Sequence, residues 1–188
     1  MKKLLITTAA LASLWLLPTA CGNDDDGTTP PPTDPDSPEA PIEGYSLYWA
    51  EEFDSDELNP LNWNVETGVA ANQELQYYTD RSENLRVEEG CLVIEARKEP
   101  MENREYTSAR INTRGKVQIK CGYIEARIWL PAGQGTWPAF WMMGTGASSW
   151  PRCGEIDIME HVGKTPGQVT HALHTQNANG NNGRNWNA

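Results

Sequence analysis

The sequence predicts an all-β sandwich, and three observations carry that expectation. Apolar and polar residues alternate with a period of two in several short runs. No window sustains a helical period. Glycine and proline, 16 and 13 of 188 residues, punctuate the runs.

Only residues 44–188 enter that fold. Residues 1–21 read as a secretory signal: Lys2 and Lys3 form a basic start, and Leu4 to Leu17 is apolar but shorter than the roughly 20 residues of a membrane span. The end resembles a bacterial lipobox with Cys21 as the lipidated residue, although Pro18 stands where Leu is usual. An ordinary cleaved signal with an incidental cysteine is the alternative. Residues 22–43 form an acidic, proline-rich linker with no apolar periodicity, expected to stay extended and solvated. Asp24 to Asp26 resemble the export signal of some Gram-negative surface lipoproteins and equally suit a plain spacer. The expected destination is the outer membrane, held by the lipid alone.

Residues 44–188 carry 13 basic and 19 acidic side chains, net −6 of the total −11. With no basic stripe, this argues against nucleic acid and suits a neutral polymer. If Cys21 is lipidated, Cys91, Cys121 and Cys153 remain, an odd number in no zinc spacing. Cys91 and Cys121 lie in apolar runs and read as buried; sequence cannot choose a disulfide pair.

The elements follow in order. Asp54 to Leu61 holds at most a short turn, and Trp49 and Trp63 read as core. LRVEEGCLVIEA, residues 85–96, is a hairpin about Glu89-Gly90. YIEARIWL, residues 123–130, alternates cleanly as one strand. Residues 155–162 and 168–174 are strands joined by a turn at 163–167. The last residues, 176–188, are polar and Asn-rich, close no fold, and suggest an incomplete domain.

The stretch GEIDIMEHVG, from Gly154, places Glu155, Asp157 and Glu160 on an apolar strand. A regular strand turns Glu160 away from the other two. One extra residue at Ile158-Met159, a β-bulge, returns it to their face. The two Glu Cα atoms then lie about 13 Å apart. Leaning inward, their carboxyls approach to about 5 Å, the separation for a nucleophile and an acid in a retaining glycosidase. Asp157 is too short to reach far and suits a tuning hydrogen bond; at least one of three such close carboxyls should have a raised pKa, and the acid needs that shift to hold its proton near neutral pH. A solvated acidic edge or a calcium site remain as other readings of the same three residues.

Trp129, Trp137, Trp141 and Trp150 precede the motif among glycines and a proline. Flat rings in such loops suit the C–H faces of sugars, whereas any one tryptophan alone suits core. Pairing Val162 with Gln168, and allowing the bulge, sets Glu160 opposite Thr170, Asp157 opposite Ala172 and Glu155 opposite His174. That register puts Val169 and Leu173 in the core. His174 then touches Glu155 or a ligand, or is structural.

With these residues in view, the chain resembles glycoside hydrolase family 16, in its laminarinase-like branch. The resemblance rests on EIDIME at 155–160 with WPAFW at 137–141, supported by EEFD at 51–54, NQELQYYT at 72–79, YTSARINTRGK at 106–116 and GYIEARIWLPAGQGTWPAFW at 122–141. It implies an all-β jelly-roll sandwich with a concave cleft, and retaining endo-hydrolysis of β-1,3-glucan. It implies Glu155 as nucleophile, Glu160 as acid/base and Asp157 as helper. It implies that Asn72, Arg110, Trp137, Trp141 and His174 bind sugar, with no cofactor in the chemistry, a structural calcium in some relatives, and a monomer. Agar, carrageenan or mixed-linkage glucan as substrate, or a non-catalytic glycan-binding lipoprotein, are the alternatives. Family domains exceed 200 residues, so strands of both sheets are expected beyond residue 188, and the chain as written is expected to be poorly stable and inactive.

Overall fold

A computed structural model describes residues 2–7, 14–16, 44–146, 149–184 and 186–188. Cys21 and the linker 22–43 lie outside the described residues. The strands in chain order are β1 Lys2–Thr7, β2 Leu14–Leu16, β3 Ser46–Trp49, β4 Asn64–Glu66, β5 Gln76–Tyr78, β6 Leu85–Glu88, β7 Cys91–Met101, β8 Arg104–Ser108 and β9 Arg110–Asn112. They continue with β10 Tyr123–Ile124, β11 Ile128–Trp129, β12 Ala139–Met143, β13 Glu155–Glu160, β14 Thr170–His174 and β15 Trp186–Asn187. Among the described residues the only helix is one 3-10 turn, Gly180–Asn182.

The chain forms two compact units, Leu5–Trp129 and Leu130–Ala188, the latter with Lys2–Leu4. In the first, β6 and β7 make the expected hairpin, with Glu88 opposite Cys91. Its turn residues Glu89 and Gly90 both have positive φ, 53° and 70°. That conformation matches the right-handed twist of the flanking strands. The hairpin's inner face builds the core: Phe53, Leu85, Leu92 and Ala109 are buried, with Trp63, Val87, Ile94 and Ile111 packed against them. Trp63 stacks on Phe53 and meets Trp49 edge-on, which places both tryptophans with the core as expected.

A polar knot sits beside that core. Asn84 is fully buried, accepts from Thr79 Oγ1, and donates to the Glu95 carbonyl and Thr107 Oγ1 at 2.9 Å each. Every partner is itself bonded, so the burial carries no desolvation penalty left uncompensated.

Two expectations need correction here. Residues 123–130 are not one strand. β10 pairs with β2, β11 pairs with β1, and residues 125–127 between them join neither. A change of partner breaks the ladder although the alternation runs through. Second, Cys91 is buried but Cys121 is only half-buried. Cys91 and Cys153 are free, so no disulfide joins any two of Cys91, Cys121 and Cys153.

The second unit is a four-stranded antiparallel sheet in the order β12-β13-β14-β15. The turn after β13 is closed locally by Thr165 N–H to the Val162 carbonyl and Gln168 N–H to the Thr165 carbonyl. The two strands therefore end at Glu160 and begin at Thr170, shorter than the sequence suggests.

Candidate active site

β13 lies between β12 and β14, so its side chains are fixed by pairing on both sides. Glu155 stands opposite His174, Asp157 opposite Ala172 and Glu160 opposite Thr170. These partners are alternate residues of β14 and share one face, so the three carboxylates share it too. On β12 the same face receives Met143, Trp141 and Ala139. Ile158 is the one residue of β13 with no Cα partner on either neighbour. It is the extra residue of the bulge, and it turns Glu160 back. The expected register is observed at these three pairs, although Val162 and Gln168 form no ladder pair.

The opposite face differs from expectation. Val169 and Leu173 are 44% and 41% exposed, not core. They are exposed with Ile156 and Trp186, because this face of the sheet carries no second layer within the unit.

Each carboxylate is held by an N–H donor. Trp137 Nε1 donates to Glu160 Oε1 at 3.0 Å. Trp150 Nε1 donates to Glu155 Oε2. His174 Nε2 donates to Asp157 Oδ2 at 3.2 Å. The Gly180 N–H donates to His174 Nδ1 at 3.1 Å, so Nδ1 accepts and the ring proton sits on Nε2, facing Asp157. The 3-10 turn that presents this N–H is capped by Asn179. Trp150 also leans on the His174 ring, centroids 5.9 Å apart.

Asp157 is the buried member, 5% exposed. Burial first, then the charges of Glu155 and Glu160 and a hydrogen bond shared with Glu155, push its pKa up to about 7. The rise falls on the short central carboxyl, whereas the sequence reading looked for it on the acid. Below neutrality Asp157 therefore keeps its proton, a hydrogen bond joins it to Glu155, and its Oδ2 accepts from His174.

Of the sugar-binding residues expected from sequence, Trp137, Trp141 and His174 join the carboxylates in this unit. Trp137 is 56% exposed, so its ring face is free to stack. It lines an open pocket of about 430 Å³ with Gln134, Gly135, Thr136, Val162 and Lys164. The loop is held where Gly163 lets two backbones meet, its N–H bonding the Thr136 carbonyl at 2.9 Å. A Cβ at Gly163 would lie 2.0 Å from the Gly133 oxygen. Asn72 and Arg110 belong to the first unit. Asn72 is exposed with φ 62°, and Arg110 pairs with Glu66 across β4 and β9 at 2.9 Å. The sequence reading missed the aim of Trp150 at Glu155; its place in the tryptophan cluster was the only signal.

Among the described residues no group of three or more His, Cys, Asp or Glu is placed to hold a metal ion.

Two strand-borne glutamates flank a buried aspartate beside tryptophan rings, an arrangement suited to acid–base chemistry on a sugar. The description "XgeA-like, catalytic GH16 domain" matches residues 59–186. A beta-glucanase of Rhodothermus marinus is 44% identical over 94% of this chain and 60% of its own length. Glucan endo-1,3-beta-glucosidase A1 of Niallia circulans is 36% identical over 76% of this chain and 23% of its own. Among solved structures, the laminarinase from Rhodothermus marinus aligns with TM-score 0.65 at 44% identity, covering 74% of this chain and 59% of that one. The catalytic domain of an endo-1,3-beta-glucanase from Thermotoga petrophila aligns with TM-score 0.70 at 44% identity, over 78% and 62%. The chain belongs to glycoside hydrolase family 16, and its fold class is that family's all-β jelly-roll sandwich. It spans about 60% of the length of the Rhodothermus proteins it matches.

Proposed function

We propose that the protein hydrolyses internal β-1,3 bonds of a laminarin-type glucan with retention of configuration. The observation that carries this is the bulge at Ile158, which sets Glu155 and Glu160 on one face of one strand. In this reading Glu155 attacks the anomeric carbon while Glu160 protonates the departing sugar oxygen. Glu160 then takes a proton from water, whose oxygen displaces Glu155 and leaves the starting configuration. Asp157 tunes Glu155 through their shared proton. Trp137, Trp141, His174, Asn72 and Arg110 contact sugar. The relatives named for β-1,3-glucan support this substrate.

A broader substrate range is the second reading. It is favoured by a 34% identical relative described as a non-specific endo-beta-1,3(4)-glucanase. We further propose export with lipidation at Cys21, anchoring a monomer to the outer membrane. The test is reducing-sugar release from laminarin, lichenan and agarose by the full-length protein and its Glu155→Ala variant. Cleavage of laminarin that the variant abolishes is expected. A folded protein that cuts none of the three refutes the reading in favour of a glycan-binding role.

A further inference from the structure

The bulge has a lock that the chemistry above does not use. His171 stands across from the bulge, between Thr170 opposite Glu160 and Ala172 opposite Asp157. Its backbone is spent elsewhere: its N–H and carbonyl both bond to Ala188, at 2.9 and 3.0 Å. Strand β14 thus offers the bulge no backbone group at this position. The side chain does instead, since His171 Nδ1 lies 2.5 Å from the Ile158 carbonyl oxygen. A carbonyl oxygen only accepts, so the ring proton sits on Nδ1 and is donated. Alternation along β14 puts His171 on the face away from Thr170, Ala172 and the carboxylates, so it cannot touch a sugar lying on them.

We propose that His171 is a positioning residue, whose Nδ1–H holds the Ile158 carbonyl and so fixes the bulge that spaces Glu155 from Glu160. A register error at a bulge moves every side chain beyond it. Without the bond the bulge can shift or spread over Ile158 and Met159, and Glu160 loses its fixed distance from Glu155. The kinetic part of this inference rests on the glucanase reading; the hydrogen bond does not.

The test compares the full-length protein with His171→Ala and His171→Asn. An Asn Nδ2 occupies the place of the imidazole Nδ1 and restores the donor. His171→Ala should lower kcat about ten- to hundredfold, the scale of a misplaced catalytic group. It should leave KM within about twofold, since no sugar contact is removed. His171→Asn should recover most of kcat. A second readout needs no activity. Ile158-Met159 is the only Ile-Met step in the chain. A sample labelled with carbonyl-13C isoleucine and 15N methionine therefore gives one carbonyl–amide correlation. That peak should move in His171→Ala and return in His171→Asn. An unmoved peak, an Ala variant with parental kcat, or an Asn variant no better than Ala overturns the proposal. If the parent cuts no glucan, the glucanase reading fails separately and the peak alone decides on His171.

Discussion

Replacing Asp157 by Asn makes the protonated state of that residue permanent. The Asn carbonyl can still accept from His174 Nε2, and its amide can still donate to Glu155. The variant therefore keeps the hydrogen bonds of the neutral form and loses only the ability to ionise. In the fold the Asp157 pKa is about 7, against an ordinary 3.8. Between those values the folded state binds a proton that the unfolded chain has released, so stability falls as pH rises through this window. At 1.36 kcal/mol per pKa unit, the parent should lose about 2–3 kcal/mol between pH 5 and pH 8 that the variant does not. For a chain of this size that is a relative shift of about 5–10 °C in Tm. The assay is guanidinium unfolding of both proteins at pH 5, 6, 7 and 8. A gap between them that grows with pH supports the assignment. A gap constant across the series refutes it, because Asp157 then titrates alike in both states. The same substitution should lower kcat about 100-fold, since the shared proton can no longer adjust as charge develops on Glu155.

Other outcomes follow from the donors and close contacts around the site. Trp150→Phe removes the N–H aimed at Glu155 and should cost about ten- to hundredfold in kcat/KM, the value of one hydrogen bond to a charged group; a change below twofold would show that the bond is idle. Trp137→Ala should raise the KM for laminarin about tenfold through lost stacking, whereas Trp137→Phe should keep KM and lower kcat, because only the bond to Glu160 is gone. Gly163→Ala should destabilise by about 1–3 kcal/mol, its new Cβ facing the Gly133 oxygen, while Gly167→Ala on the open turn should change stability by less than about 0.5 kcal/mol; equal melting temperatures for the two would contradict the close approach.

The carboxylate-bearing strand was legible because its pattern is overdetermined. Three charged residues on an apolar strand share a face only if one residue is extra, and the pairing with Thr170, Ala172 and His174 then follows from period two. The hairpin at Glu89-Gly90 was legible for a similar reason, since local turn chemistry sets it. Other features depend on partners that alternation does not reveal. The run 123–130 alternates without a break, yet it divides where its neighbour changes from β2 to β1. Val169 and Leu173 have core composition but stand on a face without a second layer in their unit. Trp150 reaches Glu155 only because the chain doubles back, with the Gly144 N–H bonding the Gly154 carbonyl at 3.0 Å. The sequence required that one carboxyl be raised; burial, visible only in the fold, chose Asp157. His171 left no trace in any pattern, because its partner is a backbone carbonyl.

The groups gathered around the carboxylates run from Trp137 to Gly180, on strands that are neighbours in the chain as well as in the sheet. Pairings of short sequence separation form early and cost little loop-closure entropy. The spacing of the acids is thus settled by nearest neighbours, as a meander folds behind the growing chain. The turn at Lys164–Gly167 is exposed, and its hydrogen bonds reach the adjoining Val162 and Gln168. Its length and composition are free to change without moving Glu155 relative to Glu160. A protein built this way can keep the spacing of its carboxylates while the bends beside them vary.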